Sequence, residues 1–147
     1  MTTTTSEPAV RGRHSPHERA LRNGLGALAL VNLVIGVWMV VAPASFVDNV
    51  GPFGEPNDHY VRDLATWYLS YAGVLTVAVG TRSWRVPVLV FGVAQGVLHI
   101  VNHIVDVGDA DPVGVGIFNI VSLAALTGAM VWLLSMARED EGQVAAR

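Results

Sequence analysis

The chain has no cysteine and no lysine. Without thiols, disulfides, thiolate zinc sites, iron–sulfur clusters and thiol redox chemistry are excluded. Charge is scarce too: 14% of the 147 residues are Asp, Glu, Lys or Arg, against roughly a quarter in a soluble domain. The nine basic residues are all Arg, the net charge is −3, and no basic patch is interleaved with aromatics. A nucleic-acid partner is therefore not expected. Apolar residues fill the space that charge leaves. They make up 52% of the chain, and the mean hydropathy is +0.46, a shift towards the membrane class.

Polar residues dominate 1–22, which reads as a disordered tail. Four long apolar segments follow, with helices expected at about 24–42, 61–81, 86–106 and 113–136. The first carries no charge between Arg22 and Asp48, the second none between Asp63 and Arg82, the fourth none between Asp111 and Arg138. In the third, from Val86 to Val105, only His99 and His103 are ionisable. Each segment supports about 20 helical residues, the length needed for ~30 Å of hydrocarbon. Four soluble helices would show a polar outer face every turn. The runs LVIGVWMVV, VPVLVFGV and IVSLAALTGAMVWLL show none. Ala42-Pro43-Ala44 mimics a signal-peptide cleavage site, but the apolar stretch before it is too long for one and Pro43 opposes cleavage, so a retained helix is expected. The expected fold is all-α: a polytopic membrane protein with a four-helix transmembrane bundle over 23–137 and a polar tail at 138–147.

Arginine placement sets the orientation. Arg11, Arg13, Arg19 and Arg22 precede the first segment, Arg82 and Arg85 separate the second from the third, and Arg138 and Arg147 follow the fourth. Four crossings put all of these on one side and Arg62 alone on the other. The positive-inside rule then predicts both termini in the cytoplasm, in a multi-pass protein of a bacterial cell membrane. Trp38, Tyr60, Trp67, Trp84 and Trp132 lie near the expected boundaries, where aromatic belts form. The outward loops would be 43–60 and 106–112.

The sharpest local signal is His99-Ile-Val-Asn102-His103-Ile-Val-Asp106. Its polar residues fall at i, i+3, i+4 and i+7, on one helical face. Ionisable groups within a membrane are costly, so their default reading is functional. His59, Arg62 and Asp63 at the start of the second segment meet the same leaflet as the end of the third. An outward-facing polar pocket between these two segments is expected, binding a small ligand or a divalent metal. At ~1.5 Å per residue, His99 lies about 10 Å below Asp106 and Asn119 about 12 Å below Asp111, so the two share a depth. Asn32 and Gln95 extend the polar column towards the midplane. Beneath it, Gly92 and Gly96 on the third segment and Ala124 and Gly128 on the fourth predict close helix approach.

Three chemistries fit this set. His99 and His103, one turn apart, can bind one metal, with Asp106, His59 or Asp63 completing the shell. Alternatively, Asp106 orients His103 for acid–base work while Arg62 binds an anion or polarises a carbonyl. Thirdly, the buried polar groups hold helices in register, and the protein is a non-catalytic accessory subunit of a membrane-protein partner or a homo-oligomer. A surface ion pair also explains Arg62 and Asp63, and His103 and Asp106 lie near the headgroups. His99 is the deep ionisable group.

The stretches NDHYVRDLATWYLSYAG and RSWRVPVLVFGVAQGVLHIVNHIVD resemble small four-helix bacterial membrane proteins of the DoxX-like type. The likeness spans about residues 20–137 and rests on Asn57, His59, Arg62 and Asp63, then His99, Asn102 and His103. It implies fold and membrane location more than an activity. The redox cysteines of some DoxX-like proteins are absent here, which removes any thiol-oxidation role.

Overall fold

The computed structural model describes residues 15–54 and 57–145. The described chain is all-α, with five helices: α1 (Pro16–Val41), α2 (Pro43–Asn49), α3 (Asp58–Gly80), α4 (Arg85–Val105) and α5 (Val113–Ala145). Single 3-10 turns at Arg82–Trp84 and Val107–Asp109 join α3 to α4 and α4 to α5.

Local chemistry sets the helix starts. Ser15 caps α1 by accepting a hydrogen bond from the Glu18 amide at 3.1 Å, and Pro16 occupies the first turn, where its missing N–H costs nothing. The helix therefore begins well before the apolar run. Residues 16–22, expected in a disordered tail, are its first turns, and residues 1–14 lie outside the described part. Likewise α5 continues through 138–145, where a polar tail was expected. Asn57 caps α3, its side-chain oxygen accepting from the amides of His59 and Tyr60 at 3.1 and 3.3 Å. The loop expected after the first segment holds α2, with Pro43 in its first turn.

The long helices pack in pairs, α1 against α3 and α4 against α5, with much less contact between the pairs. A core of Leu21, Leu25, Leu28, Tyr71, Leu75, Leu89, Met130 and Leu133 joins them over half their length. A smaller cluster of Met39, Phe46 and Ala65 lies at the α2 end. Gly92 and Gly96 provide the close approach expected of them: a Cβ at Gly92 would overlap the Tyr71 hydroxyl, and one at Gly96 the Thr127 hydroxyl. The partner pair on the fourth segment is different from the expected one. Ala124 and Gly128 are exposed, and a Cβ at Gly128 would meet nothing within 4 Å. Thr127 and Met130 make the interface instead.

At the end opposite α2, the two pairs are tied by charge. Arg85, buried at the start of α4, donates from Nη1 and Nη2 to the two carboxylate oxygens of Glu18 on α1, both at 2.8 Å. Its Nη1 also lies 3.4 Å from Asp140 on α5, and its Nε donates to the Ala78 carbonyl of α3 at 3.2 Å. Arg82 adds contacts of 3.5 Å to both Glu18 and Asp140. Four helices thus converge on one guanidinium.

The outward faces are apolar. Leu98 is 71% exposed, Phe118 69% and Val105 76%, with Leu30, Val34, Val101, Ile104 and Val121 similarly bare. Three stretches are long and apolar enough to cross a membrane: Pro16–Val41, Arg82–Val105 and Val113–Gly142. The remaining long helix, α3, is more polar, with Thr66, Ser70 and Thr76 among Trp67, Tyr68 and Tyr71.

Candidate functional site

Where the helix pairs separate, towards α2, they leave a half-open cavity of about 530 Å³. Its walls come from all five helices: Val31, Ile35 and Met39 of α1, Phe46 of α2, Val61, Leu64 and Tyr68 of α3, His99 and His103 of α4, and Phe118, Asn119, Leu123 and Leu126 of α5. Among the described residues, the polar side chains on the wall are those of Tyr68, His99, His103, Asn119 and Ser122, with no Asp, Glu or Arg.

The two imidazoles form a pair. Their Nε2 atoms are 3.2 Å apart and their ring centroids 4.8 Å apart. At that separation one ring donates its N–H and the other accepts, so the pair shares a single proton between the facing nitrogens. The i, i+4 spacing of the sequence produces this contact directly, because residues four apart stack on one helix face. His103 Nδ1 is buried with no hydrogen-bond partner.

A strap of chain closes the cavity beside the histidines. Residues 50–53, between α2 and α3, run past the start of α5. Asn119, buried on α5, donates from Nδ2 to the Val50 carbonyl at 2.6 Å. The Asp111 amide donates to the Pro52 carbonyl at 3.1 Å, and Phe53 and Ala110 form an antiparallel bridge. Phe53 then meets the His103 ring edge to face, at 5.2 Å and 78°. A lone pair of carbonyl groups in an irregular segment needs donors when it leaves water, and Asn119 supplies one from the helix behind.

Of the expected site residues, His99, His103 and Asn119 line the same cavity. The others are elsewhere. His59, Arg62 and Asp63 do not line the cavity; they lie on the outer side of the first turns of α3, where His59 is 3.4 Å from Asp63 and Arg62 is 3.3 Å from Asp58. Asn102 is exposed and Asp106 half-buried, and neither reaches the wall. Asn32 satisfies its own helix, donating to the Leu28 carbonyl at 2.8 Å, and Gln95 is half-buried away from the cavity. The pocket takes its walls from both helix pairs, with Val61 and Leu64 at the start of α3 and His99 and His103 towards the end of α4 among them. The metal shell of His99, His103 and Asp106 does not assemble: among the described residues, no three His, Asp or Glu side chains come together to hold an ion. Two imidazoles fall short of the three or four protein ligands such sites use.

The sequence reading passed over Tyr68, Phe53 and the strap. Tyr68 sits on α3 at i+4 from Leu64 and i+7 from Val61, both wall residues, so an α3 face drawn from Val61 would have found it. Nothing local in the sequence pairs Asn119 with Val50. A second hollow of about 370 Å³ lies between α3 and α4, walled by Trp67, Tyr71, Trp84 and Phe91. No family model matches the chain, and no curated protein or solved structure matches it either.

Proposed function

We propose that the chain is an integral membrane protein crossing the bilayer four times, with both termini in the cytoplasm, and that its cavity binds a small, largely apolar molecule from the outer side. The apolar outer faces support the membrane reading, because contiguous bare apolar surface of this extent is incompatible with water. The arginines support the orientation: Arg82, Arg85 and Arg138 stand at one end, Arg62 at the other. For α3, its 23 residues give a length of about 34 Å, enough for a crossing. Its polar groups have protein neighbours there, the Tyr71 hydroxyl donating to the Val88 carbonyl at 3.1 Å and the Thr76 hydroxyl to the Ala72 carbonyl at 2.8 Å. DoxX-like membership, proposed from the sequence motifs, agrees with this architecture.

The observation that carries the ligand is the cavity itself. About 530 Å³ lies within the range of small-molecule sites, ~300–1,000 Å³, and an apolar wall with a few convergent polar groups is the usual makeup of such sites.

Binding of a neutral apolar fluorophore, N-phenyl-1-naphthylamine, to the protein in lipid nanodiscs tests this, with empty nanodiscs as baseline. We expect a saturable signal from the native chain. Leu123→Trp, which places an indole in the cavity, removes that signal and leaves the melting temperature within a few degrees. Equal signals from both proteins would reject the ligand reading. The accessory-subunit alternative would gain if His99→Ala lowered the melting temperature without altering probe binding, since the imidazoles would then serve helix register alone.

A further inference from the structure

The cavity's wall is polarised, and its polarity specifies a ligand. The imidazoles and Asn119 stand near the strap, at the outer end. From Asn119 to Leu126 the α5 wall descends about 10 Å, and at the deeper level the lining is aliphatic apart from Tyr68. A molecule filling this space has a polar head at the outer end and an apolar tail pointing inward, the same sense as a lipid of the outer leaflet. Size limits the tail. At ~30 Å³ per water-sized group, about 530 Å³ holds roughly 18 non-hydrogen atoms. That matches one alkyl chain of medium length.

Charge selects the head. Among the described residues, the ionisable ones on the wall are Tyr68, His99 and His103, with no carboxylate. A cationic head would be buried without a counter-charge, which is costly. An acid head instead meets a base. Its O–H bond breaks, the proton passes to an imidazole nitrogen, and a carboxylate and an imidazolium remain, hydrogen-bonded to each other. The second imidazole, 3.2 Å from the first, accepts a hydrogen bond from the imidazolium and shares its charge. Hydrogen bonds between ionised partners are about twice as strong as neutral ones.

We infer that the cavity takes a single-chain carboxylic acid of medium length, a fatty acid, with its carboxylate on the His99–His103 pair. The inference rests on the ligand reading above and narrows it to one class.

Competition against N-phenyl-1-naphthylamine in the same nanodiscs tests it. Dodecanoate should displace half the probe at a concentration about tenfold below dodecanol, the worth of one charge-assisted hydrogen bond over a neutral one. Dodecyltrimethylammonium should displace none, and eicosanoate should be weaker than dodecanoate. In the double variant His99→Gln, His103→Gln, dodecanoate should lose its advantage, while dodecanol displaces as before and so reports that the cavity is intact. The single variant His99→Gln, which keeps one imidazole, should show an intermediate advantage. Equal displacement by dodecanol and dodecanoate in the native protein, or an advantage that survives in the double variant, would overturn the carboxylate head and leave the cavity reading standing. Absence of any saturable probe signal would overturn both.

Discussion

Arg85 and Glu18, 67 positions apart in sequence, meet in a bidentate ion pair with both hydrogen bonds at 2.8 Å. Their side chains are only 2% and 6% exposed. Such a pair gains stability only against the large cost of taking two charges out of water, and it becomes a liability when one partner is lost. Here the guanidinium also meets Asp140 and the Ala78 carbonyl, so α1, α3, α4 and α5 are all bound to it. This clamp closes one end of the helix pairs; the strap and Asn119 close the other, and the cavity lies on the strap side between them.

The first prediction follows from that pair. Glu18→Ala strands a buried guanidinium with Asp140 as its remaining carboxylate within 4 Å among the described residues. It should cost about 3–5 kcal/mol, the range for breaking a buried pair. Glu18→Leu combined with Arg85→Met removes both charges and should recover most of that loss. Thermal unfolding of the three proteins in one detergent checks it. A double variant as unstable as Glu18→Ala would mean that the charges do more than neutralise each other.

The clamp also marks where sequence reading reaches its limit. The helices themselves were legible, because charge-free runs of membrane length declare themselves. The His99–His103 contact was legible too, since it needs only helical periodicity. Arg85 and Glu18 were not. In the sequence Arg85 is one of a pair of loop arginines with a topological meaning, and Glu18 is a polar residue in an apparent tail. Only the meeting of the two helix pairs at this end brings them together. Asn119 was singled out, but its partner, the Val50 carbonyl, belongs to a strap whose path no local pattern gives. His59, Arg62 and Asp63 misled for a related reason. The direction in which a helix turns its polar face depends on its neighbours, and α3 turns these three outward.

A second prediction separates two glycines that look alike in the sequence. Gly92 lies under the Tyr71 hydroxyl, which is 3.1 Å from the Val88 carbonyl and 3.7 Å from Met130 Sδ. Gly92→Ala must move Tyr71, breaking its hydrogen bond and forcing the α3–α4 contact apart, at a cost of about 1–3 kcal/mol for overpacking. Gly128→Ala meets nothing within 4 Å. It should be neutral or slightly stabilising, because alanine favours the helix over glycine by about 1 kcal/mol. Melting temperatures of the two variants decide it, and similar losses for both would contradict the packing described for α4 and α5.

The last prediction concerns α3, the one long helix whose composition does not mark it as a membrane span. If α3 crosses, its two ends lie on opposite sides, and the absence of native thiols makes this easy to read. Single cysteines replace Asp58 at the start of α3, Ser83 in the turn after it, Asp109 before α5 and Glu141 near the end of α5; all four positions are exposed. In intact cells a membrane-impermeant maleimide should label the variants at Asp58 and Asp109. It should reach those at Ser83 and Glu141 only after the membrane is opened. An interfacial α3 would put Asp58 and Ser83 on the same side, and α4 and α5 would then have to reverse. That arrangement would carry Arg82 and Arg85 to the side of Arg62 and break the arginine asymmetry on which the orientation rests. Labelling of the Ser83→Cys variant in intact cells would therefore reject the fourth crossing.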